Sequence, residues 1–279
     1  MSGLGVNGPS LWLDRYPWPA ADTHKHARGR LGVVSGPQPS SGAARLACRG
    51  GLRIGAGTCR LFCPPEALPL HAPGVEAVMI QSFRDAGELK SLAEVMAALV
   101  IGPAAGLRPE TEAWLRAVAE TEARLVIDAD ALTLFRERSE DLFVLLRQGD
   151  VLTPHEGEFE RLWPGLLEGK GREAACREAA RTSGTVVVLK GQETLIGAPD
   201  GRLARNPNGT PWLATAGSGD VLAGLIGGLM AQGMDSFDAA CAGVWIHAEA
   251  AGLFGPGLIA EDLPELVPQV LARLWKERG

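Results

Sequence analysis

The sequence lacks the features that mark several large classes of protein. Its Lys and Arg residues form no dense run, and the formal net charge is -6. Binding to a nucleic-acid backbone needs clustered cations, so a nucleic-acid partner is not expected. The sequence has no run of about 18 apolar residues and no signal-like apolar segment near residue 1. We therefore expect a cytoplasmic protein without a membrane partner.

Two common kinds of site are also missing. The five cysteines occur without a Cys-x-x-Cys pair, which predicts reduced thiols rather than disulfides or a zinc site. No Walker-type GxxxxGK[ST] motif occurs, and residues 51–57 (GLRIGAG) lack the strand-to-helix context of a Rossmann dinucleotide loop. A nucleotide would therefore have to be held by another kind of loop.

What the sequence does contain is an alternation of short buried strands and helices. Residues 110–122 and 171–184 have helical patterns, and residues 193–206 resemble a hairpin with a Pro-Asp-Gly turn. This alternation predicts a mostly parallel sheet with helices on both faces. We expect a lead-in of residues 1–23 and one three-layer α/β/α domain over residues 24–279. The strands are predicted at residues 31–36, 58–63, 76–80, 97–102, 124–130 and 185–191.

The strongest signal is a glycine-rich loop at residues 208–220, followed by an apolar helix predicted over residues 221–233. The glycines let the backbone approach a ligand closely, and the N–H groups at the start of the helix favour an anion. Asp220 is predicted at the head of this helix. It either serves only as the N-cap or also accepts a proton from a substrate hydroxyl beside a bound phosphate.

Further polar residues follow predicted strands, at the edge where open parallel sheets bind ligands. Lys190 is either a phosphate or adenosine contact or a solvated strand end. Asp128 and Asp130 either cap a turn, hold Mg²⁺ through water or orient a ligand.

Two histidines have competing interpretations. Thr153 and Glu156 form a possible capping box, which leaves His155 as either a surface residue or part of a site. His247 lies within an apolar helix at residues 237–255 and is interpreted as a satisfied core histidine.

Taken together, these segments resemble the NAD(P)H-hydrate dehydratase family, whose domain has the ribokinase-like fold. The resemblance covers nearly the whole chain beyond about residue 24, and its motifs stand in the family's order. The matching segments are residues 24–36, 40–57, 100–106, 126–132, 152–159, 186–191 and 208–233.

The resemblance implies a function and roles for individual residues. Enzymes of this family transfer phosphate from ADP or ATP to the hydroxyl of NADHX or NADPHX, then eliminate phosphate to regenerate NADH or NADPH. It implies that Asp220 is the catalytic carboxylate and that Mg²⁺ takes part. The implied nucleotide-binding residues are Lys190, Gly191, Gln192, Glu193, Thr194, Ala216, Gly217, Ser218 and Gly219. The implied contacts to the hydrated cofactor are Ala43, Gly106, His155 and Asp220.

The resemblance also implies a homotetramer and a functional link to an NAD(P)HX epimerase.

Three departures from the family pattern matter. The usual Gly-Pro-Gly-Leu-Gly is Gly-Pro-Ala-Ala-Gly at residues 102–106, which keeps the outer glycines and adds side chains inside the loop. Ser218 replaces a threonine and keeps the hydroxyl. No epimerase-like half precedes the domain, so the chain either works alone or is part of a longer protein.

Two alternative functions are consistent with the loop. A ribokinase-like kinase for a hydroxymethyl substrate also has an aspartate after a glycine-rich anion hole, but residues 152–159 and 257–263 favour the dehydratase. A catalytically silent nucleotide-sensing module is a second alternative, and the presence of Asp220 argues against it. The sequence leaves open the choice between ADP and ATP and between NADHX and NADPHX.

Overall fold

Ten strands form the sheet in a computed structural model that describes residues 3–37 and 41–278. The strands are β1 (Leu4–Val6), β2 (Arg30–Val34), β3 (Thr58–Cys63), β4 (Met79–Ser82), β5 (Ala98–Ile101), β6 (Arg124–Ile127), β7 (Val151–Leu152), β8 (Val186–Leu189), β9 (Thr194–Gly197) and β10 (Leu203–Asn206). Their order across the sheet is β1-β10-β9-β8-β7-β6-β5-β2-β3-β4.

Helices cover the sheet and connect its strands. They are α1 (Pro9–Trp12), α2 (Gly42–Arg53), α3 (Leu68–His71), α4 (Ala86–Ala93), α5 (Pro109–Ala119), α6 (Ala129–Thr133), α7 (Ser139–Phe143), α8 (Glu156–Leu162), α9 (Leu166–Lys170), α10 (Arg172–Ser183), α11 (Ser218–Ala231), α12 (Ser236–Phe254) and α13 (Asp262–Glu277). Short 3-10 turns occur at Leu13–Arg15, Pro65–Ala67, Ala72–Gly74 and Pro211–Leu213.

The sheet is mostly parallel, as the sequence predicts. Strands β2 to β8 pair in parallel with one another, and β9 runs antiparallel to both β8 and β10. The carboxyl ends of the parallel strands therefore meet at one edge of the sheet, where such folds bind ligands. Asp128 follows β6, and Lys190 follows β8 at this edge.

Each face of the sheet has its own apolar core because side chains alternate along a strand. Val126 of β6 packs in the core that contains α2, α11, α12 and α13. Its neighbours Leu125 and Ile127 pack in the opposite core, with residues from α4, α5, α8 and α10. Burial on both faces explains why the strands are apolar throughout.

Helices α2 and α11 approach each other unusually closely. A Cβ on Gly224 would lie 2.0 Å from the carbonyl oxygen of Ala47, and a Cβ on Gly50 would lie 2.7 Å from that of Val221. Glycine is therefore required on both helices for this packing. The contact fixes where α11 begins relative to α2 at the ligand edge of the sheet.

Strand β4 and the lead-in differ from the sequence expectations. Strand β4 covers residues 79–82 rather than 76–80, because the chain reaches the edge of the sheet three residues later. Residues 3–23 of the lead-in, which the structure describes, pack as part of the domain. Their β1 pairs with β10, and Trp12 is fully buried. Across residues 3–37 and 41–278, no helix is long and apolar enough to cross a membrane.

The helix contact generates a stability prediction. Gly224→Ala should lower the free energy of unfolding by about 1 to 3 kcal/mol, the usual cost of overpacking a core. The matched control is Gly252→Ala in α12, where an added Cβ meets nothing within 4 Å. Urea denaturation measures both variants. If Gly224→Ala were as stable as the control, α2 and α11 could move apart without a loss in the free energy of unfolding.

Candidate functional site

The glycine loop turns into α11 through a left-handed residue. Gly217 is the N-cap of the helix, with φ 92°, a conformation that glycine adopts without strain. A Cβ there would also lie 2.7 Å from Leu46 of α2. Helix α11 therefore begins at Ser218, three residues earlier than predicted. Asp220 lies in its first turn and makes no capping hydrogen bond, so its interpretation as an N-cap is wrong.

A cavity of about 540 Å³ opens at the start of α11. This volume is in the range of ligand-binding pockets. The lining includes polar residues (Lys190, Thr194, Asn206, Thr210 and Ser218) and apolar residues (Leu213, Leu222, Val244 and Ala248). Ser218 and Gly219, the first residues of α11, are also in the lining, and the N–H groups at the start of a helix favour an anion. The cavity can therefore hold a ligand with an anionic part and an apolar part.

Lys190 is held by buried carboxylates and is not a solvated strand end. Its Nζ lies 2.9 Å from Asp128 Oδ1 and 3.9 Å from Glu158 Oε2. Burial lowers the pKa of Lys190, but the two carboxylates raise it more, so the ammonium stays charged. A Cβ on Gly219 would lie 3.4 Å from the same nitrogen. The cation therefore lies against the backbone of the anion-binding loop.

Asp220 lies close to this charged cluster. Burial raises the pKa of its carboxyl from 3.8 to about 7, with Asp128 and Asp130 adding to the rise and Lys190 opposing it. A base whose pKa is near the operating pH is efficient in proton transfer. Asp220 can therefore take or release a proton near neutral pH.

His155 has a structural role that the sequence interpretation missed. It is the N-cap of α8, and its Nδ1 accepts hydrogen bonds from the backbone N–H groups of Gly157 and Glu158. The Glu158 carboxylate accepts in return from the N–H of His155, at 2.9 Å. The capping box thus joins His155 to Glu158 rather than Thr153 to Glu156, which corrects the prediction.

The other two residues expected to contact the cofactor lie in the loop after β5 and in the first turn of α2. The N–H of Gly106 donates to Asp130 Oδ2 at 2.9 Å, and Asp130 is one of the groups that raise the pKa of Asp220. Ala43 is in the first turn of α2, the helix that packs against α11. Ala104, where the family pattern has glycine, has φ 58°, a left-handed conformation that glycine adopts more easily.

Most of the predicted nucleotide residues lie together. Lys190, Gly191, Gln192, Thr194, Ser218 and Gly219 line the cavity. Ala216 and Gly217 form the turn just before this lining. Glu193 instead faces outward, with its Oε1 3.3 Å from Arg205 Nη1. The structure therefore brings eight of the nine predicted positions to one place and leaves the Glu193 side chain outside it.

Two further cavity residues, His247 and Asn206, and Glu158 beside Lys190 had weak or misread sequence signals. His247 is buried, as predicted, but its Nε2 has no hydrogen-bond partner and its ring lines the cavity. Burial lowers its pKa to about 4, so the imidazole is neutral. Asn206 and Glu158 were not singled out. Glu158 was identifiable as the residue three positions after a possible N-cap.

The residues at this site do not form a metal cage. No group of three or more suitable side chains is placed to hold a metal ion in residues 3–37 and 41–278. Asp128 is paired with Lys190, and Asp130 accepts from Gly106. Mg²⁺ is commonly bound through one or two carboxylates together with substrate phosphates. The site is suited to binding Mg²⁺ through a carboxylate together with substrate phosphates, and not through protein ligands alone.

The same architecture occurs in solved structures of the ribokinase-like superfamily. A member from Enterococcus faecalis matches with a TM-score of 0.86 and 25% identity, covering 98% of this chain and 97% of that chain. The fold and its glycine loop therefore define a ribokinase-like protein. Within this class, the family model of NAD(P)H-hydrate dehydratase matches residues 31–267. The chain belongs to the NAD(P)H-hydrate dehydratase family.

Three relatives illustrate the range of the family. An ADP-dependent (S)-NAD(P)H-hydrate dehydratase of Neisseria meningitidis is 35% identical over 92% of this chain and 90% of its own length. The bifunctional NAD(P)H-hydrate repair enzyme Nnr of Methanopyrus kandleri is 34% identical over 95% of this chain and 52% of its own length. The chain thus spans about half the length of such bifunctional relatives. The Bacillus subtilis ADP/ATP-dependent dehydratase, co-crystallised with ATP/Mg²⁺, matches at TM-score 0.83 and 26% identity, over 98% of this chain and 100% of that chain.

The raised pKa of Asp220 predicts a pH-dependent stability difference. Because the folded-state pKa lies above that of the unfolded chain, ionisation of Asp220 destabilises the fold as pH rises from about 4 to about 7. Asp220→Asn should therefore melt above the parental protein at pH 8, with a smaller difference at pH 5. Thermal melting at both pH values measures this, with the exposed Asp22→Asn as control. A difference that does not change with pH would contradict the raised pKa.

Proposed function

We propose that the protein dehydrates NADHX or NADPHX to NADH or NADPH, using ADP or ATP as phosphate donor. The observation that carries the proposal is the position of Asp220, a carboxylate with a pKa near 7 in the first turn of the helix that follows the anion-binding loop. The names of the relatives support the substrate class. ADP dependence in the Neisseria relative and ATP in the Bacillus co-crystal support an adenine nucleotide.

The proposed reaction begins with transfer of phosphate to the hydroxyl of the hydrate. Asp220 removes the hydroxyl proton while the oxygen forms a bond to the terminal phosphorus, and the bond from that phosphorus to the nucleotide breaks. The N–H groups at Ser218 and Gly219 hold the charge that develops on the phosphate. Phosphate then leaves the ring, and loss of a proton from the adjacent carbon restores the double bond.

The cavity residues position the nucleotide in this proposal. Phosphates would lie at Lys190 and the loop 216–219, and the adenosine would pack against the apolar lining residues Leu222 and Val244. The hydrated cofactor would approach from the side of Ala43, Gly106 and His155. Mg²⁺ would enter with the nucleotide phosphates and neutralise part of their charge. We further propose a homotetramer and a functional link to an NAD(P)HX epimerase, as in the family.

The kinase alternative is less well supported. A hydroxyethylthiazole kinase from Pyrococcus horikoshii matches at TM-score 0.63 and 17% identity, which shows a shared fold only. The family match and the identities of 34 and 35% to the repair enzymes favour the dehydratase.

The direct test of the proposed function is an assay with Asp220→Asn as the matched variant. Incubation of the parental protein with NADHX, Mg²⁺ and either ADP or ATP should restore the absorbance of the reduced nicotinamide. Asp220→Asn should reduce turnover by about 10²-fold or more, the usual scale for a general base. Its fold should persist because Asp220 makes no capping bond. A folded variant that works at the parental rate would show that Asp220 is not the base, and Asp128 would be tested next.

Lys190→Ala should raise the KM for the nucleotide more than it lowers kcat, because lost ground-state binding appears in KM. Lys190 also lowers the pKa of Asp220, so kcat and the nucleotide KM are measured over a pH series and their plateau values compared. Lys170→Ala, which removes a half-exposed cation elsewhere, is the control. An unchanged nucleotide KM would place Lys190 away from the phosphates.

Substitution of His155 should weaken binding of NAD(P)HX and leave nucleotide affinity unchanged. His155→Ala also removes an N-cap, so His155→Asn is the paired variant, since asparagine can cap the helix. Calorimetry with each ligand separately, using both variants, distinguishes contact from capping. Equal loss of both ligands in His155→Ala, with recovery in His155→Asn, would show that the residue acts only through the fold of α8.

A further inference from the structure

A second cavity, of about 450 Å³, lies at the opposite end of α11 from the candidate active site. Gln232, which follows the last residue of α11, lines this cavity, whereas Ser218 at its first residue lines the other. A helix of 14 residues is about 21 Å long, so the two cavities are well separated. They share no lining residue, and a ligand of one cannot fill the other.

Aromatic rings form much of the wall of this second cavity. The ring centroids of Tyr16 and Trp18 lie 4.3 Å apart, and those of Trp18 and Trp275 lie 5.1 Å apart, edge to face. Trp275 is 52% exposed on helix α13, and the guanidinium of Arg278 lies over its ring, 5.1 Å from the ring centroid. Leu271, one turn earlier, adds an apolar contact. A flat apolar ring can stack here at little entropic cost, because the rings are already packed against one another.

The charged groups that line the cavity are cations. Arg28 and Arg53 both contribute to the wall, and the lining contains no carboxylate. Arg53 is paired with Glu265 outside the cavity. Arg28 makes no ion pair within the part of the chain that the structure describes, and its Nε is buried without a hydrogen-bond acceptor. A half-buried guanidinium without a counter-ion is costly, and an anion would satisfy it.

The sequence around Arg28 supports an anionic ligand. Residues 24–30 (HKHARGR) contain three cations and two histidines with no acidic residue, in a chain whose net charge is -6. A local positive potential in an acidic protein attracts small anions to that place. This segment belongs to the resemblance noted above, yet the proposed reaction at the other end of α11 makes no use of it.

We propose that this cavity binds a small flat aromatic anion, with its ring packed against the Tyr16, Trp18 and Trp275 rings and its phosphate or carboxylate on Arg28. Guanidinium groups bind both of these anions through paired hydrogen bonds, and tryptophan faces favour flat rings. The volume lies within the range of small-molecule pockets. The site is independent of the proposed dehydratase function.

Calorimetry with three probes tests the proposal: 1-naphthyl phosphate, 2-naphthoate and neutral 2-naphthol, each with ADP present to fill the other cavity. We expect at least one anionic probe to bind and to bind at least tenfold more tightly than 2-naphthol, given the usual strength of charged hydrogen bonds. Binding of only the phosphate or only the carboxylate defines the anionic group. Equal binding of 2-naphthol, or no binding of either anion at about 1 mM, would overturn the proposal.

Variants locate the binding. Arg28→Gln and Trp275→Ala should each weaken binding of the anionic probe by about tenfold. Lys170→Ala removes a half-exposed cation outside both cavities, and Trp212→Ala removes another exposed tryptophan, so both should leave probe binding unchanged. Trp275 is half exposed, so its substitution remains informative even if Arg28→Gln fails to fold. NADHX turnover should stay at the parental rate in both test variants. Probe binding that survives both substitutions would overturn the assignment.

Discussion

The ligand edge of the sheet depends on the charge of one buried ammonium group. Lys190 joins the end of β8 to Asp128 after β6 and to Glu158 in α8, so it connects three neighbouring parts of the sheet edge. Burying the ammonium or a carboxylate alone would cost desolvation free energy, and the attraction within a buried ion pair offsets this cost only when the geometry is good. The same cation limits how far burial raises the pKa of Asp220. One cluster of charges therefore fixes the position of the Lys190 ammonium and also influences the pKa of Asp220.

The second requirement is the close approach of α2 and α11. Glycines on both helices allow it, and this approach determines where the first N–H groups of α11 point. An anion bound there would be held by backbone groups that do not reorganise during reaction, which makes them effective in stabilising developing charge. Asp220, in the same first turn, is then placed beside the anion without needing a flexible loop.

Much of this arrangement was predictable from the sequence, and the remainder was not for identifiable reasons. The parallel sheet followed from apolar runs alternating with helical patterns, and the anion loop followed from its glycines and Asp220. The pairing of Lys190 with Asp128 joins residues 62 positions apart, so no local pattern encodes it. The start of α11 was placed too late because Gly217, not Asp220, ends the loop. His155 was misread because its ring nitrogen serves as a cap, a role usually filled by Ser, Thr, Asp or Asn.

The central claim is that a carboxylate with a pKa near 7 acts as the base, and the pH dependence of kcat/KM for NADHX tests it most directly. The account predicts that kcat/KM rises with pH to a plateau, with a midpoint near 7. Nucleotide phosphates titrate near pH 6, so the profile is repeated with Asp130→Asn, which removes one of the charges that raise the pKa of Asp220. The midpoint should then move to lower pH. A parental profile that is flat between about pH 5 and 9, or a midpoint that Asp130→Asn does not move, would contradict the account.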